Sequence, residues 1–264
     1  MHPELFHFST PSFLQGFLPD QIAIYSYGAL ILMGVLMAFW YLKTNAYRDF
    51  GLSEDNSQAL LLGLIIMSVV GGKFFMIFEN PSFYLSNPKE LISNSGFVFY
   101  GSLIFSMGYV FWFIRKHKLS TWKFLDLIGF VALIVHFFGR LGCFMAGCCH
   151  GIESHGPFAV IFTDPACMAQ PLNTPLHPTQ LYSSFMLASI FGILTFVKSK
   201  QKFEGQLFLL YLMLYATGRS IIEEFRGDEA RGFLFDGWYS NSQFISTVIV
   251  IFALVTYILR MKKK

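Results

Sequence analysis

Charged residues are scarce in this sequence. Asp, Glu, Lys and Arg make up only 13% of its 264 residues, whereas soluble proteins carry about 25%. Hydrophobic residues account for 54%, including 32 Phe. They occur in blocks of about 20 residues, the length that crosses a bilayer as a helix. This pattern excludes an ordinary soluble domain and predicts an all-α polytopic membrane protein.

The chain also lacks basic residues near its N-terminus, a strong internal repeat and a low-complexity linker. Neither Lys nor Arg occurs in the first 20 residues, so no cleavable signal peptide is indicated and the first apolar block is expected to remain in the protein. A single membrane domain over 1–264 is the simplest division. Its seven transmembrane helices are predicted at about 21–43, 58–78, 96–115, 122–143, 180–199, 205–225 and 241–260.

Basic residues are distributed unevenly around these predicted spans. Thirteen flank the span ends that share one side, and only Lys89, Arg226 and Arg231 flank the other. Because cytoplasmic loops carry the excess of Lys and Arg, the N-terminus is predicted outside and the C-terminus in the cytoplasm. The net charge of +3 reflects these flanking residues and does not indicate nucleic-acid binding.

Nucleotide-binding motifs are absent as well. The sequence contains no P-loop and no GxGxxG motif, so no nucleotide cofactor is expected. Segment 144–180 contains neither Lys nor Arg but includes turn-forming stretches such as PLNTP. Because loops of this length are often functional, it is predicted to cap a cavity on the outer face.

Three cations, Lys73, Arg140 and Arg219, lie within or at the ends of predicted spans, and the predicted topology places all three towards the outer side. A charge in a span costs about 2.5–3.5 kcal/mol to insert and by default faces a cavity or a partner. Two neighbouring guanidinium groups repel unless an anion lies between them, and the planar guanidinium suits a phosphate. A phospholipid headgroup is the anion most available at this depth. Other polar residues predicted at the same depth are Tyr25, Tyr27, Tyr100, His177, Gln180 and Glu223.

Two of these features have a second, purely structural interpretation. Tyr215, Arg219 and Glu223 are spaced by four residues and share one helix face, so Arg219 either pairs with Glu223 within the helix or serves a ligand. Glycines flank polar residues in VVGGKFF (69–75), YGSL (100–103) and FFGRLG (137–142). They indicate either close helix packing or backbone access for a ligand.

The four cysteines allow three interpretations. Cys143, Cys148 and Cys149 with His150 form the spacing C-x4-C-C-H, which lacks the CxxC pairs typical of zinc sites. A disulfide on the oxidising outer face would pair Cys167 with Cys148 or Cys149. The cysteines are otherwise small residues tolerated in tight packing. A catalytic cysteine would need a His/Asn partner pattern that is not evident.

Six motifs follow one another along nearly the whole chain. They are YSYG (25–28), GGKFF (71–75), FYGSL (99–103), GRLGCF (139–144) with the following Gly151, HPTQLY (177–182) and YATGRSIIEEFR (215–226). In this order they resemble the bacterial prolipoprotein diacylglyceryl transferase family. The resemblance implies a seven-span inner-membrane enzyme with its N-terminus outside. It also implies transfer of diacylglyceryl from phosphatidylglycerol to the cysteine thiol of prolipoprotein signal peptides, without a metal or nucleotide.

The resemblance assigns Arg140 and Arg219 to the lipid phosphate and to catalysis. Together with the depth of the polar residues, it gives a predicted site of two groups. The catalytic group is Arg140, Arg219, Tyr100 and Glu223, and the substrate-binding group is Tyr27, Lys73, Gly101, Gly151, His177, Gln180 and Tyr215.

The chain departs from the family pattern at two motifs. In the family's G-N-F-x-N-x-E-x-x-G, Cys143 and Ala146 replace the two Asn residues and Cys148 replaces the Glu, while Tyr100 replaces the His of H-G-G-L. A tyrosine, whose free pKa is about 10, is a poor base near neutral pH, so His150 or His177 is expected to substitute. The alternative is a divergent paralogue that binds phospholipid but uses a different acceptor, or a non-catalytic lipid- or metal-binding membrane protein.

Overall fold

The computed structural model describes residues 2–9, 21–93, 96–227, 232–234 and 239–263, most of them in helices. Helices α1 and α2 are joined by a short turn, and the small helices α3 and α4 precede α5. A longer segment separates α6 from α7. The helices are α1 (Ser26–Phe50), α2 (Glu54–Glu79), α3 (Pro81–Ser86), α4 (Glu90–Ser93), α5 (Phe99–Lys116), α6 (Thr121–Ala146), α7 (Thr179–Lys198), α8 (Gln206–Glu223) and α9 (Asn241–Lys262).

Within the described residues, five helices are long and apolar enough to cross a membrane: α1, α2, α6, α7 and α9. The other two predicted spans correspond to α5 and α8, which have 18 residues each, or about 27 Å at 1.5 Å per residue. Both are less apolar, because α5 ends in Arg115 and Lys116 and α8 carries Arg219 and Glu223. The chain is therefore a mostly helical, multi-pass membrane protein.

Short antiparallel strand pairs correct the all-helical expectation. The first predicted span was placed at 21–43, but α1 begins at Ser26, and Gln21–Tyr25 forms strand β2 against β1 (Glu4–Ser9). Isoleucines alternate in this stretch, which suits a strand, whereas hydropathy alone does not separate a short apolar strand from a helix. The remaining pairs are β3 (Val160–Ile161) with β4 (Pro175–Leu176), and β5 (Phe233–Leu234) with β6 (Tyr239–Ser240).

The chain divides into two compact units. One comprises Phe39–Leu127, and the other comprises the residues up to Ala38 together with those from Ile128 onward. In the Phe39–Leu127 unit, α2 packs along α5 through Gly71 and Gly101. A Cβ on either glycine would collide with the carbonyl oxygen of the other, so the packing interpretation explains why both positions lack a side chain.

In the other unit, α8 packs against both α7 and α9. The part of α6 within this unit approaches α8, where the ring of His136 lies 5.4 Å from that of Tyr215. The packing therefore turns the Tyr215 face of α8, which also carries Arg219 and Glu223, towards α6.

Segment 147–178, between α6 and α7, is folded against the ends of the helices. Gly147, with φ of 77°, follows the last residue of α6, the usual place for a left-handed helix cap. The Gly151 amide donates to the His177 carbonyl at 2.8 Å, and the Ile152 amide donates to the Phe225 carbonyl at 2.9 Å. A small core within the segment consists of Phe162, Cys167, Ala169 and Leu176, with Phe144 and Leu172 packed against it.

Candidate functional site

Arg140 lies in α6 and hydrogen-bonds one turn back along the same helix. Its Nε donates to Nε2 of His136 at 3.2 Å. No ion pair among the residues that the structure describes includes Arg140. Within the described residues, the partner of its guanidinium is therefore an imidazole and not a carboxylate.

Arg219 has a different partner. Its Nη1 forms an ion pair with Oε2 of Glu223, one turn later on α8, and the two side chains are 16% and 3% exposed. The internal pair that the four-residue spacing allowed is thus present. A buried pair of this kind holds the guanidinium in place, because separating the two groups would leave a buried charge uncompensated.

The two arginines converge on one imidazole. Arg140 hydrogen-bonds His136, and the charge of Arg219 acts on the same ring. Sequence analysis missed His136, although its position four residues before Arg140 was a usable signal. The structure therefore brings together His136, Arg140, Tyr215, Arg219 and Glu223.

A groove of about 630 Å³ runs between α7 and α8 and is lined mainly by apolar residues such as Met186, Leu214 and Ile221. Ile221 is two residues from Arg219, which is about 200° around a helix. The groove therefore lies on the face of α8 opposite Arg219, and a cavity shared by the two arginines stays a prediction.

Three cysteines meet at the end of α6. The Sγ atoms of Cys143, Cys148 and Cys149 lie within 4.8 Å of one another. The backbone around them is fixed by three hydrogen bonds to carbonyl oxygens. The Cys148 amide donates to Cys143 at 3.1 Å, Gln180 Nε2 donates to Cys148 at 2.7 Å, and Thr179 Oγ1 donates to Cys149 at 2.7 Å.

All four cysteines are free, so the predicted pairing of Cys167 with Cys148 or Cys149 is not formed. Cys167 packs instead in the small core of the 147–178 segment. Burial there raises the pKa of the Cys167 thiol. The cysteines thus separate into a group of three and a single core residue.

The three clustered cysteines, Cys143, Cys148 and Cys149, lie in a positive environment. Hydrogen bonds from Cys143 and Cys148 hold the pKa of the Cys149 thiol well below its usual range, and the charges of Arg140 and Arg226 act in the same direction. The same network raises the pKa of Cys148. Tyr27 lies close enough to interact with all three thiols and with Arg140.

Three substrate-binding candidates, Gly151, His177 and Gln180, lie beside this cluster. A Cβ on Gly151 would collide with the carbonyl of Phe225 and lie 2.7 Å from Cβ of His177, so only glycine fits. Nδ1 of His177 is 3.0 Å from the Tyr182 hydroxyl. Gln180 is fully buried, and its Oε1 accepts no hydrogen bond within the described part of the chain.

Comparison with known proteins identifies the family. The family model for prolipoprotein diacylglyceryl transferase matches residues 17–259. The chain belongs to this family. It is 36% identical over 240 residues to the phosphatidylglycerol–prolipoprotein diacylglyceryl transferase of Clostridium tetani, covering 89% of this chain and 93% of the relative. A second enzyme of that name from Clostridium perfringens is 32% identical over 239 residues, with coverages of 89% and 91%. The corresponding enzyme of Enterococcus faecalis is 31% identical over 249 residues, with coverages of 90% and 87%.

The diacylglyceryl transferase match spans every predicted site residue, and these residues are divided between the two compact units. Lys73, Tyr100 and Gly101 belong to the Phe39–Leu127 unit. Tyr100 is half exposed, with its ring 5.8 Å from that of Phe99, and Gly101 is buried against α2. Their convergence with Arg140 and Arg219 stays a prediction.

Three further residues from the sequence analysis, Tyr27, His150 and Arg231, remain to be placed. Tyr27 opens α1, and a Cβ on Gly142 would lie 2.9 Å from its ring, which explains the glycine two residues after Arg140. His150, a candidate base, has Nδ1 3.0 Å from the Gly151 carbonyl. Arg231, one of the few cations predicted on the outer side, lies outside the described residues.

Proposed function

We propose that this chain transfers a diacylglyceryl group from phosphatidylglycerol to the cysteine thiol of a prolipoprotein signal peptide. The names of its relatives give the reaction. The observation that carries the assignment is Arg140, a half-buried guanidinium in a membrane helix that contacts an imidazole where a carboxylate would neutralise it. A phosphodiester headgroup is the anion that completes such a site.

The reaction needs charge stabilisation on the phosphate. A thiolate forms a bond to the glyceryl carbon, the bond from that carbon to the phosphate oxygen breaks, and the electron pair leaves with glycerol phosphate. The negative charge on the leaving phosphate grows during this step, so a fixed cation beside it stabilises the transition state more than the bound lipid. Arg140 meets this need: His136 holds Nε, which leaves the terminal nitrogens to donate to phosphate oxygens.

The other predicted residues have supporting roles in this proposal. Glu223 orients Arg219, which donates to the same headgroup, and Tyr215 and Tyr27 border the two arginines. Tyr100 completes the catalytic group. Lys73, Gly101, Gly151, His177 and Gln180 would contact the lipid or the signal peptide.

The proposed setting is the bacterial inner membrane, with seven spans, the N-terminus outside and the C-terminus in the cytoplasm. The distribution of Lys and Arg supports this orientation, and it would let segment 144–180 cap the site from outside. Reporter fusions after α1, α2 and α9 test it. Cytoplasmic, external and cytoplasmic signals respectively are expected, and the reverse set would contradict the orientation.

The transfer itself is tested with purified protein in phosphatidylglycerol vesicles and a fluorescent lipobox peptide. A mobility shift of the Cys peptide and release of glycerol phosphate are expected, whereas the matched Ser peptide should remain unmodified. Phosphatidylethanolamine vesicles serve as the headgroup control. Absence of both products from folded protein would favour the second candidate, a paralogue with another acceptor. The three clustered thiols, two of which (Cys143 and Cys148) replace polar residues of the family pattern, are the observation that favours it.

A further inference from the structure

The group of Cys143, Cys148 and Cys149 has no role in the transfer as described so far. We infer that these three thiolates bind a zinc ion and leave its fourth position for the thiol of the acceptor cysteine. The zinc site stands on geometry alone, whereas the role of the acceptor thiol rests on the proposed function.

The spacing of the sulfur atoms suits zinc. All three Sγ atoms lie within 4.8 Å of one another. Tetrahedral zinc with bonds of about 2.3 Å requires sulfur atoms about 3.8 Å apart. The remaining contraction of at most about 1 Å is within the reach of cysteine side-chain rotation, so no backbone movement is needed.

The backbone that carries these ligands is already in place. Cys143 lies in the last turn of α6, and Cys149 has a left-handed φ of 59°, a conformation uncommon for a residue other than glycine. The side chains of Thr179 and Gln180 anchor the carbonyls of Cys149 and Cys148. These bonds hold the turn that directs three thiols to one point, as the second shell does in metal sites.

The charge balance also fits. One Zn²⁺ ion with three thiolates carries a net charge of −1, and the cation Arg140 lies about one helical turn before Cys143 on α6. Among the described residues, no His, Asp or Glu joins the three cysteines in this group. Three protein ligands with one open position are typical of catalytic zinc, whereas structural zinc has four. Thiolate ligands favour zinc over magnesium or calcium.

This site would supply the activation that Tyr100 cannot. An acceptor thiol that binds zinc loses its proton to water and becomes a thiolate near neutral pH. That sulfur then bonds to the glyceryl carbon as the carbon–oxygen bond to phosphate breaks, and the electron pair leaves on the phosphate oxygen beside Arg140. The thioether product is a weaker ligand and dissociates.

Metal content tests the site without any activity measurement. Protein purified without chelators is expected to contain zinc in a one-to-one ratio by elemental analysis. Cys143→Ser, Cys148→Ser and Cys149→Ser should each lose most of it, and Cys167→Ser is the matched control that should keep it. Wild-type protein free of zinc after zinc reconstitution, a disulfide among the three cysteines, or full zinc in the triple Ser variant would overturn the site.

Cobalt substitution tests the open position and avoids the risk that a variant misfolds. The Co²⁺ form of the wild-type protein should show sulfur-to-cobalt absorption that changes on addition of the lipobox Cys peptide but not of the Ser peptide. An unchanged spectrum would overturn the role of the acceptor thiol.

The two proposals fail in different ways. Transfer that persists in chelator-treated, zinc-free protein would overturn the role of zinc in activating the acceptor thiol and leave the proposed function standing. Stoichiometric zinc with a peptide-dependent cobalt spectrum, but no transfer from phosphatidylglycerol, would overturn the proposed function alone.

Discussion

The end of α6 and the end of α8 each carry an arginine whose charge acts on His136, yet the two ends differ in charge. On α8, Glu223 follows Arg219 by one turn and neutralises it. On α6, the residue one turn before Arg140 is His136, and no carboxylate pairs with this arginine in the described residues. The α8 end therefore provides a fixed donor without net charge, and the α6 end provides a net positive charge for an anion.

The largest expected effect is at the α6 end. Arg140→Gln removes the charge and the paired donors, and transfer from phosphatidylglycerol should fall about 100- to 1,000-fold, as when a preorganised transition-state donor is lost. Arg140→Lys keeps the charge but not the two-pronged geometry, so a smaller loss of at least about 10-fold is expected. The measurement is kcat/KM in phosphatidylglycerol vesicles. Full activity in Arg140→Gln would remove the distinction between the two ends.

The α8 end should respond in stability as well as in activity. Arg219→Ala removes the ion pair between Arg219 and Glu223, which is 5% exposed, and breaking a buried pair costs about 3–5 kcal/mol. Transfer should fall about 100-fold, and the thermal transition should move to lower temperature.

The control for this loss is the double variant Arg219→Gln/Glu223→Gln, in which two neutral amides replace the ion pair. The transition temperature should recover while transfer remains low. Recovery of both would mean that the pair serves only packing, and the α8 end would then have no part in the chemistry.

His136 is the residue that links the two ends, and we expect it to act as a positioning residue for Arg140. His136→Phe keeps a ring beside Tyr215 but removes the acceptor for Arg140 Nε, so transfer should fall about 10-fold. His136→Gln restores an acceptor and should recover part of kcat. A purely structural role predicts the opposite order, with Phe tolerated better than Gln inside the helix bundle.

The sequence predicts the positions of the long helices well and the start of α1 less well. The predicted spans 58–78, 122–143 and 180–199 correspond to α2 (Glu54–Glu79), α6 (Thr121–Ala146) and α7 (Thr179–Lys198), because long apolar runs leave few alternatives. Hydropathy placed the start of α1 five residues early, where β2 pairs with β1. A short apolar run is ambiguous until its strand partner is known.

The thiol cluster shows a different limit. The spacing C-x4-C-C-H argued against a metal site because it lacks CxxC pairs. The three sulfurs converge because α6 ends at Ala146 and the chain then turns through Gly147 and Cys149, both at positive φ. A motif search has no template for a helix end followed by a left-handed residue. The Arg219–Glu223 pair, in contrast, follows directly from helix geometry. It was one of the two interpretations of the four-residue spacing, and the structure contains it.

The smallest expected effect is on the opposite face of α8, which provides the matched control for Arg219. Ile221 is 59% exposed, lines the apolar groove between α7 and α8, and lies about 200° from Arg219 around the helix. Ile221→Ala should change transfer by no more than about two-fold, the range of an exposed substitution away from a special contact. The measurement is again kcat/KM in phosphatidylglycerol vesicles, with the thermal transition as a check of folding. A loss as large as that of Arg219→Ala, in folded protein, would show that both faces of α8 take part in the reaction. The contrast between the charged α6 end and the neutral α8 end would then no longer explain where the headgroup binds.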